Sequence, residues 1–248
     1  MIRRSALVAV ALLAAACSAG AVTPTDRNTA SRTTTDRTAT GRTPTVATSP
    51  GTAPSSAEPT AAMLAELLTK GRAPKTGYDR AAFGSAWSDD NDDQYGHNGC
   101  DTRNDILRRD LHDISLDPDT RGCVVLTGTL DDPYTGKTIA FTRGVGTSDA
   151  VQIDHVVALS DAWQKGAQQW SAQHRQDFAN DPLELLAVDG PANEAKGDGD
   201  AATWLPPNKA YRCAYVTRQV EVKAKYALWV TSAERAAMAR VLAACPPG

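Results

Sequence analysis

Alternation of apolar and polar positions divides the chain into short elements that begin near residue 60. The stretch 60–71, "TAAMLAELLTKG", carries its large apolar residues at helical spacing and predicts an amphipathic helix. Residues 78–99, "YDRAAFGSAWSDDNDDQYGHNG", show no period, are acidic, and read as loop. Residues 101–112, "DTRNDILRRDLH", predict a helix with Thr102 and Asp105 available to cap it. "CVVLTGTL" (123–130) and "KTIAFTR" (137–143) are β-rich, and the "DDPYTG" between them supplies turn chemistry, so they predict a hairpin. "VQIDHVVAL" (151–159) is the next strand. One or two helices follow over 160–180, with Ser160 and Ser171 as N-caps. "PLELLAV" (182–188) predicts another strand, and "GPANEAKGDGD" (190–200) a turn into a helix. A long helix over 206–229 and a last one over 231–245, with a capping box from Thr231 to Glu234, complete the pattern. The class expected is α+β.

Before residue 60 the pattern changes. Arg3 and Arg4 precede a short apolar run from Ala6 to Ala16, the layout of an export signal over residues 1–16. That run is too short to span a membrane. "LLAAAC" resembles a bacterial lipobox with Cys17 as the lipidation site, although Ala14 holds the place where Leu is usual. Residues 17–60 are rich in Thr, Ser, Ala and Pro, cannot build a core, and are expected to be a disordered tether to one folded domain over 61–248. The protein is thus expected outside the cell, free or lipid-anchored to the outer face of the cytoplasmic membrane.

Apart from Cys17, four cysteines remain: Cys100, Cys123, Cys213 and Cys245. An even number in an exported domain suggests two disulfides. Three pairings are open; Cys100–Cys123 and Cys213–Cys245 are favoured because each closes a local loop. A zinc site is the weaker rival, since no C-x-x-C pair exists. Residues 71–248 hold 19 Lys and Arg against 25 Asp and Glu, a balance near −6. Non-specific DNA binders are usually basic. Any nucleic-acid role must therefore rest on a local basic face or on metal ions. Arg212, Arg218, Lys223 and Lys225 on the long helix offer such a stripe, or only a solvated face. "SDDNDDQ" reads as a solvated acidic loop, because it lacks the Gly and terminal Glu of a calcium loop. His97, His112 and His174 read as surface residues.

The charged pair Asp154-His155 inside an apolar run needs a reason, because buried ionisable groups are costly without partners. Its context supplies one. "IDHVVALSDAW", "ELLAVDGPAN" and "NEAK" give two strands and a helix carrying Asp154, His155, Asn193 and Lys196. The order resembles the HNH, or ββα-metal (His-Me finger), nucleases. The flanking "GYDRAAFGSAW", "CDTRNDIL", "DPYTGKTIAF" and "WLPPNKAYRCAY" resemble exported HNH-family proteins of high-GC Gram-positive bacteria, over residues 72–245.

The resemblance implies an HNH core with an added β-hairpin and flanking helices. It implies a metal-dependent endonuclease in which Asp154 and Asn193 hold one divalent cation, Mg²⁺ or else Mn²⁺ or Ca²⁺. His155 is then the general base, and Lys196 and Arg103 are candidates to contact phosphate. Arg103 has a structural alternative in an ion pair with an Asp. Glu184 stands where the family usually has the Asn that braces the histidine loop; Asn180 is the other brace candidate. The partner implied is nucleic acid, DNA before RNA, acted on by a monomer. Two rival expectations remain: a cell-surface lipoprotein that binds nucleic acid on this scaffold without turnover, and a hydrolase of another phosphodiester.

Overall fold

The computed structural model describes residues 57–246. The expected signal segment, Cys17 and almost all of the expected tether lie outside the described residues. Helix α1 (Ala57–Glu66) takes in residues 57–60, which composition had assigned to the tether. Glu58 in its first turn suits the helix dipole, and Thr60 and Leu64 are buried.

Helix α2 (Thr102–Asp110) follows the acidic loop. Asp101, one residue before the expected caps, accepts the backbone N–H of Asn104 at 2.9 Å. The hairpin forms from β2 (Val125–Asp131) and β3 (Thr138–Thr142). An unexpected strand, β1 (His112–Leu116), adds antiparallel to β2. It takes up His112, which the helical pattern had claimed, and Leu111 is the C-cap of α2.

The second sheet has two strands, β4 (Val151–His155) and β5 (Leu185–Asp189), antiparallel, with His155 opposite Leu185 and Asp154 opposite Leu186. Their connection carries α3 (Leu159–Gln164) and α4 (Ala172–Asn180). Ser171 caps α4 through the His174 N–H, whereas Ser160 lies inside α3, whose N-cap is Ala158. Helix α5 (Gly190–Lys196) starts directly after β5. Helices α6 (Arg212–Lys225) and α7 (Ser232–Ala243) close the chain, and the Thr231–Glu234 capping box is present. The long helix begins later than expected, because Pro206, Pro207 and Asn208 lead into a 3₁₀ turn over Lys209–Tyr211. The fold is α+β.

Strand β5 is buried on both faces, which is why "LLAV" reads as a continuous apolar run. Leu185 and Ala187 pack with α2, β2 and β3; Leu186 and Val188 pack with α1, α6 and α7. A third cluster joins Phe83, Leu159, Phe178 and Tyr226. Disulfides Cys100–Cys123 and Cys213–Cys245 are both formed, with Cα separations of 5.2 and 5.8 Å.

Candidate active site

Asp154 and His155 end β4 and leave it on different sides. His155 is buried, and its Nε2 lies 3.0 Å from the carbonyl oxygen of Ala179. A carbonyl can only accept, so Nε2 carries the proton and Nδ1 is the basic atom. The Trp87 ring stacks on the imidazole at 5.9 Å and 18°. Burial, and next the Arg80 guanidinium, push the imidazole down to about 3, so it is neutral at pH 7.

Asp154 has two partners. Its Oδ2 accepts the Tyr134 hydroxyl at 2.5 Å, and its Oδ1 accepts the Lys196 ammonium at 2.9 Å. Burial, then the Asp154 charge, raise the Tyr134 phenol well above its usual range, which keeps it a donor. Lys196 also donates to the backbone oxygen of His155 at 2.7 Å. Tyr134 comes from the β2–β3 turn. Buried Asp132 holds that turn by accepting the N–H groups of Tyr134, Thr135 and Asp189. The pattern read this turn only as chain reversal, and the "DPYTG" motif was the available signal for more.

Asn193 lies one helical turn before Lys196. Its Nδ2 donates to Gln152 Oε1 at 2.9 Å, and its Oδ1 has no partner among the described residues. Asp154, His155 and Asn193 line one cleft of about 250 Å³, together with Arg80 and Tyr78. Sequence reasoning missed Arg80, which sits in a stretch read as loop. It is exposed, and no hydrogen bond or ion pair holds its guanidinium among the described residues.

Glu184 is fully buried beneath the segment that follows His155. Both its carboxyl oxygens are 3.1 Å from the Val157 nitrogen, and its backbone oxygen accepts the Val156 N–H at 2.9 Å. From α6, Gln219 donates to the Val156 carbonyl at 2.9 Å. The loop is thus pinned from two sides. Burial raises the Glu184 carboxyl well above its ordinary range, against the opposing effect of the Val157 N–H. Asn180 makes no hydrogen bond to this loop among the described residues: its Nδ2 donates to Gln176 within α4, and its buried Oδ1 has no partner there. Arg103 lines no part of the cleft; its guanidinium lies over the Phe141 ring at 5.7 Å, and among the described residues it forms no ion pair with an Asp.

The basic stripe expected on the long helix is not free. Lys223 is fully buried between Asp161 and Glu234. Lys225 pairs with Asp93 and Asp181, and Arg212 and Arg218 donate to backbone carbonyls. Nor is the acidic loop merely solvated. Asp89 accepts the Asn98 and Gly99 amides, and Asn91 is buried.

Among the described residues no three His, Cys, Asp or Glu side chains converge on a metal-sized site. The oxygen pair Asp154 and Asn193 nevertheless fits a hard divalent cation that keeps most of its waters. One is a carboxylate and the other an unpartnered amide oxygen, both on an open cleft.

Residues 101–241 match the family model of GmrSD restriction endonucleases, C-terminal domain. An uncharacterized secreted protein of Arthroderma benhamiae is 37% identical over 197 residues, covering 77% of this chain and 86% of that protein. That relative is fungal, so the likeness extends beyond the bacterial proteins whose motifs the sequence resembles. No solved structure matches the chain.

Proposed function

The chain belongs to the family of GmrSD restriction endonuclease C-terminal domains, and from that premise we propose an exported, metal-dependent HNH-type endonuclease. It hydrolyses phosphodiester bonds in nucleic acid. The observation that carries the reading is the shared cleft of Asp154, His155 and Asn193, on two antiparallel strands followed by a helix. Export is supported by the two disulfides and by the printed description of the fungal relative.

In this mechanism His155 takes a proton from the attacking water at Nδ1. The Ala179 carbonyl fixes the tautomer, Trp87 fixes the ring plane, and Glu184 and Gln219 fix the loop behind it. Arg80, at the cleft and free of carboxylates, takes a phosphate oxygen. Asp154 and Asn193 would hold the cation, which when bound supplies charge neutralisation at the phosphate and leaving oxygens. Tyr134 orients the Asp154 carboxylate. Lys196 balances its charge and is placed to serve the phosphate once the cleft fills.

The ammonium of Lys196 on Asp154 also favours a second reading, a nucleic-acid-binding protein without turnover, since one carboxylate oxygen is already compensated. Plasmid and single-stranded substrates incubated with the purified protein and Mg²⁺ or Mn²⁺ separate the two. Cleavage that EDTA abolishes, and that His155→Ala lowers by about 10²–10⁴-fold, supports the nuclease. Metal-independent binding without product supports the second reading. Full activity in His155→Ala rejects the role given to that histidine.

A further inference from the structure

A second cavity, of about 260 Å³, also borders His155. Its walls are mostly apolar, with Phe83, Leu159, Ala179 and the Trp87 ring, and Ser85 adds a hydroxyl. His155 and Arg80 line both cavities, so the two meet at the catalytic imidazole. Asn180, 2% exposed, also lines this cavity, while its Oδ1 is buried out of reach with no hydrogen-bond partner among the described residues.

We propose that this cavity is a nucleobase subsite that receives one unpaired base next to the scissile phosphate, held against the Trp87 ring and the apolar walls. The inference rests on the nuclease reading and names its substrate class as single-stranded or locally unpaired nucleic acid. Size and chemistry both favour a base. The volume is just below the roughly 300 Å³ at which drug-sized sites begin, which suits one flat ring system. A planar ring suits walls that combine the Trp87 ring and apolar side chains with the polar groups of Arg80 and Ser85. Arg80, shared by the two cavities, holds the phosphate that joins the base to the cleaved bond.

The charge of the molecule agrees. With a balance near −6 over residues 71–248, the domain lacks the net positive charge usual in proteins that bind duplexes without sequence choice. Base contacts on an aromatic and apolar platform supply affinity to single strands instead. A base paired within a duplex cannot reach such a pocket without being flipped out.

The test uses an end-labelled single-stranded oligonucleotide, the same strand with one abasic site moved through successive positions, and its duplex. Bis(p-nitrophenyl) phosphate serves as a substrate without a base. Cleavage and fluorescence-anisotropy binding are both read. The intact strand should be cut at least ten-fold faster than the duplex. One abasic position beside the cut should cost ten-fold or more in rate and affinity. Ala86→Phe, on the exposed rim, should bring the intact strand down to its abasic counterpart. Equal cleavage and binding of intact and abasic strands, with the small diester still hydrolysed, overturns the subsite and leaves the nuclease standing. If nothing is hydrolysed the catalytic reading fails; anisotropy that still distinguishes intact from abasic strands then supports the subsite, and equal affinity overturns it.

Discussion

Glu184 braces the loop that follows His155. An Asn at this point would offer both a donor and an acceptor. Glu184 accepts the Val157 N–H from a fully buried place. Burial is the chief cause that raises its folded-state pKa well above the ordinary 4.5. Below pH 4.5 folded and unfolded chains both carry the proton, so the residue is neutral in effect. As pH rises past 4.5 the unfolded chain ionises first, and folding stability falls by up to about 1.4 kcal/mol per unit. Glu184→Gln removes that dependence while keeping the acceptor. Thermal melts from pH 5 to 8 should show a smaller loss of Tm in the variant than in the parent, with cleavage retained. A parallel decline in both would mean that Glu184 is ionised in the folded state. Glu184→Ala should be worse at every pH, by about 3 kcal/mol, because it leaves both a cavity and an unpaired buried N–H.

Among the elements, the junction of β5 and α5 decides whether the cleft exists, because α5 carries Asn193 and Lys196. Gly190 opens that helix against the backbone of the turn before β4: a Cβ there would lie 2.0 Å from the Asp149 carbonyl oxygen. Gly190→Ala must therefore push the helix start away from β4. The expected result is a loss of about 2–4 kcal/mol, seen as a drop of roughly 4–16 °C in Tm, with cleavage falling more than the unfolded fraction explains. Unchanged melting and activity would show that the junction relaxes freely. Elements such as this one were legible because their signals are local. "LLAV" is apolar throughout, Asp189 precedes Gly-Pro, and Thr231 stands three residues before Glu234. Strand β1 was not legible: its residues are mostly exposed, so "HDISL" has no apolar period, and the preceding helix pattern runs straight into it. The site divided in the same way. Asp154, His155, Asn193 and Lys196 follow from a motif within one ββα unit. Arg80, Trp87 and Tyr134 enter from loops and a turn distant in sequence, where only folding shows what they face.

Across the whole molecule, the platform behind the site is held by charge rather than by apolar packing alone. Lys165 and Lys223, both fully buried, share Asp161 and Glu234; Lys165 also reaches Asp200, and Arg72 closes the group on Asp161 and Asp200. Three cations and three carboxylates from α3, α6, α7 and two loops thus cancel one another inside the protein. No sequence pattern announces this, because each partner is read on its own helix as a solvated charge. The network takes Lys223 out of the expected basic stripe, and Lys225, Arg212 and Arg218 are held by Asp93, Asp181 and backbone carbonyls, so in the proposed function Arg80 and the cavities beside it meet the anionic strand. Removing one member leaves a buried charge without its counterpart. Lys165→Met should therefore cost about 3–5 kcal/mol, although Met fills similar volume. Acid should find the same weakness. Burial raises the Asp161 carboxyl, but Lys223, Lys165 and Arg72 outweigh it and hold it down at about 2, against an ordinary 3.8. Such a lowered group contributes stability above pH 3.8 and loses it as pH falls towards 2. Circular dichroism from pH 5 to pH 1.5 should show the cooperative loss of structure centred between pH 4 and 2, and Lys165→Met should move that midpoint upward. A midpoint that the variant leaves in place would show that acid unfolding begins elsewhere, and that the buried charges serve specificity of packing more than its strength.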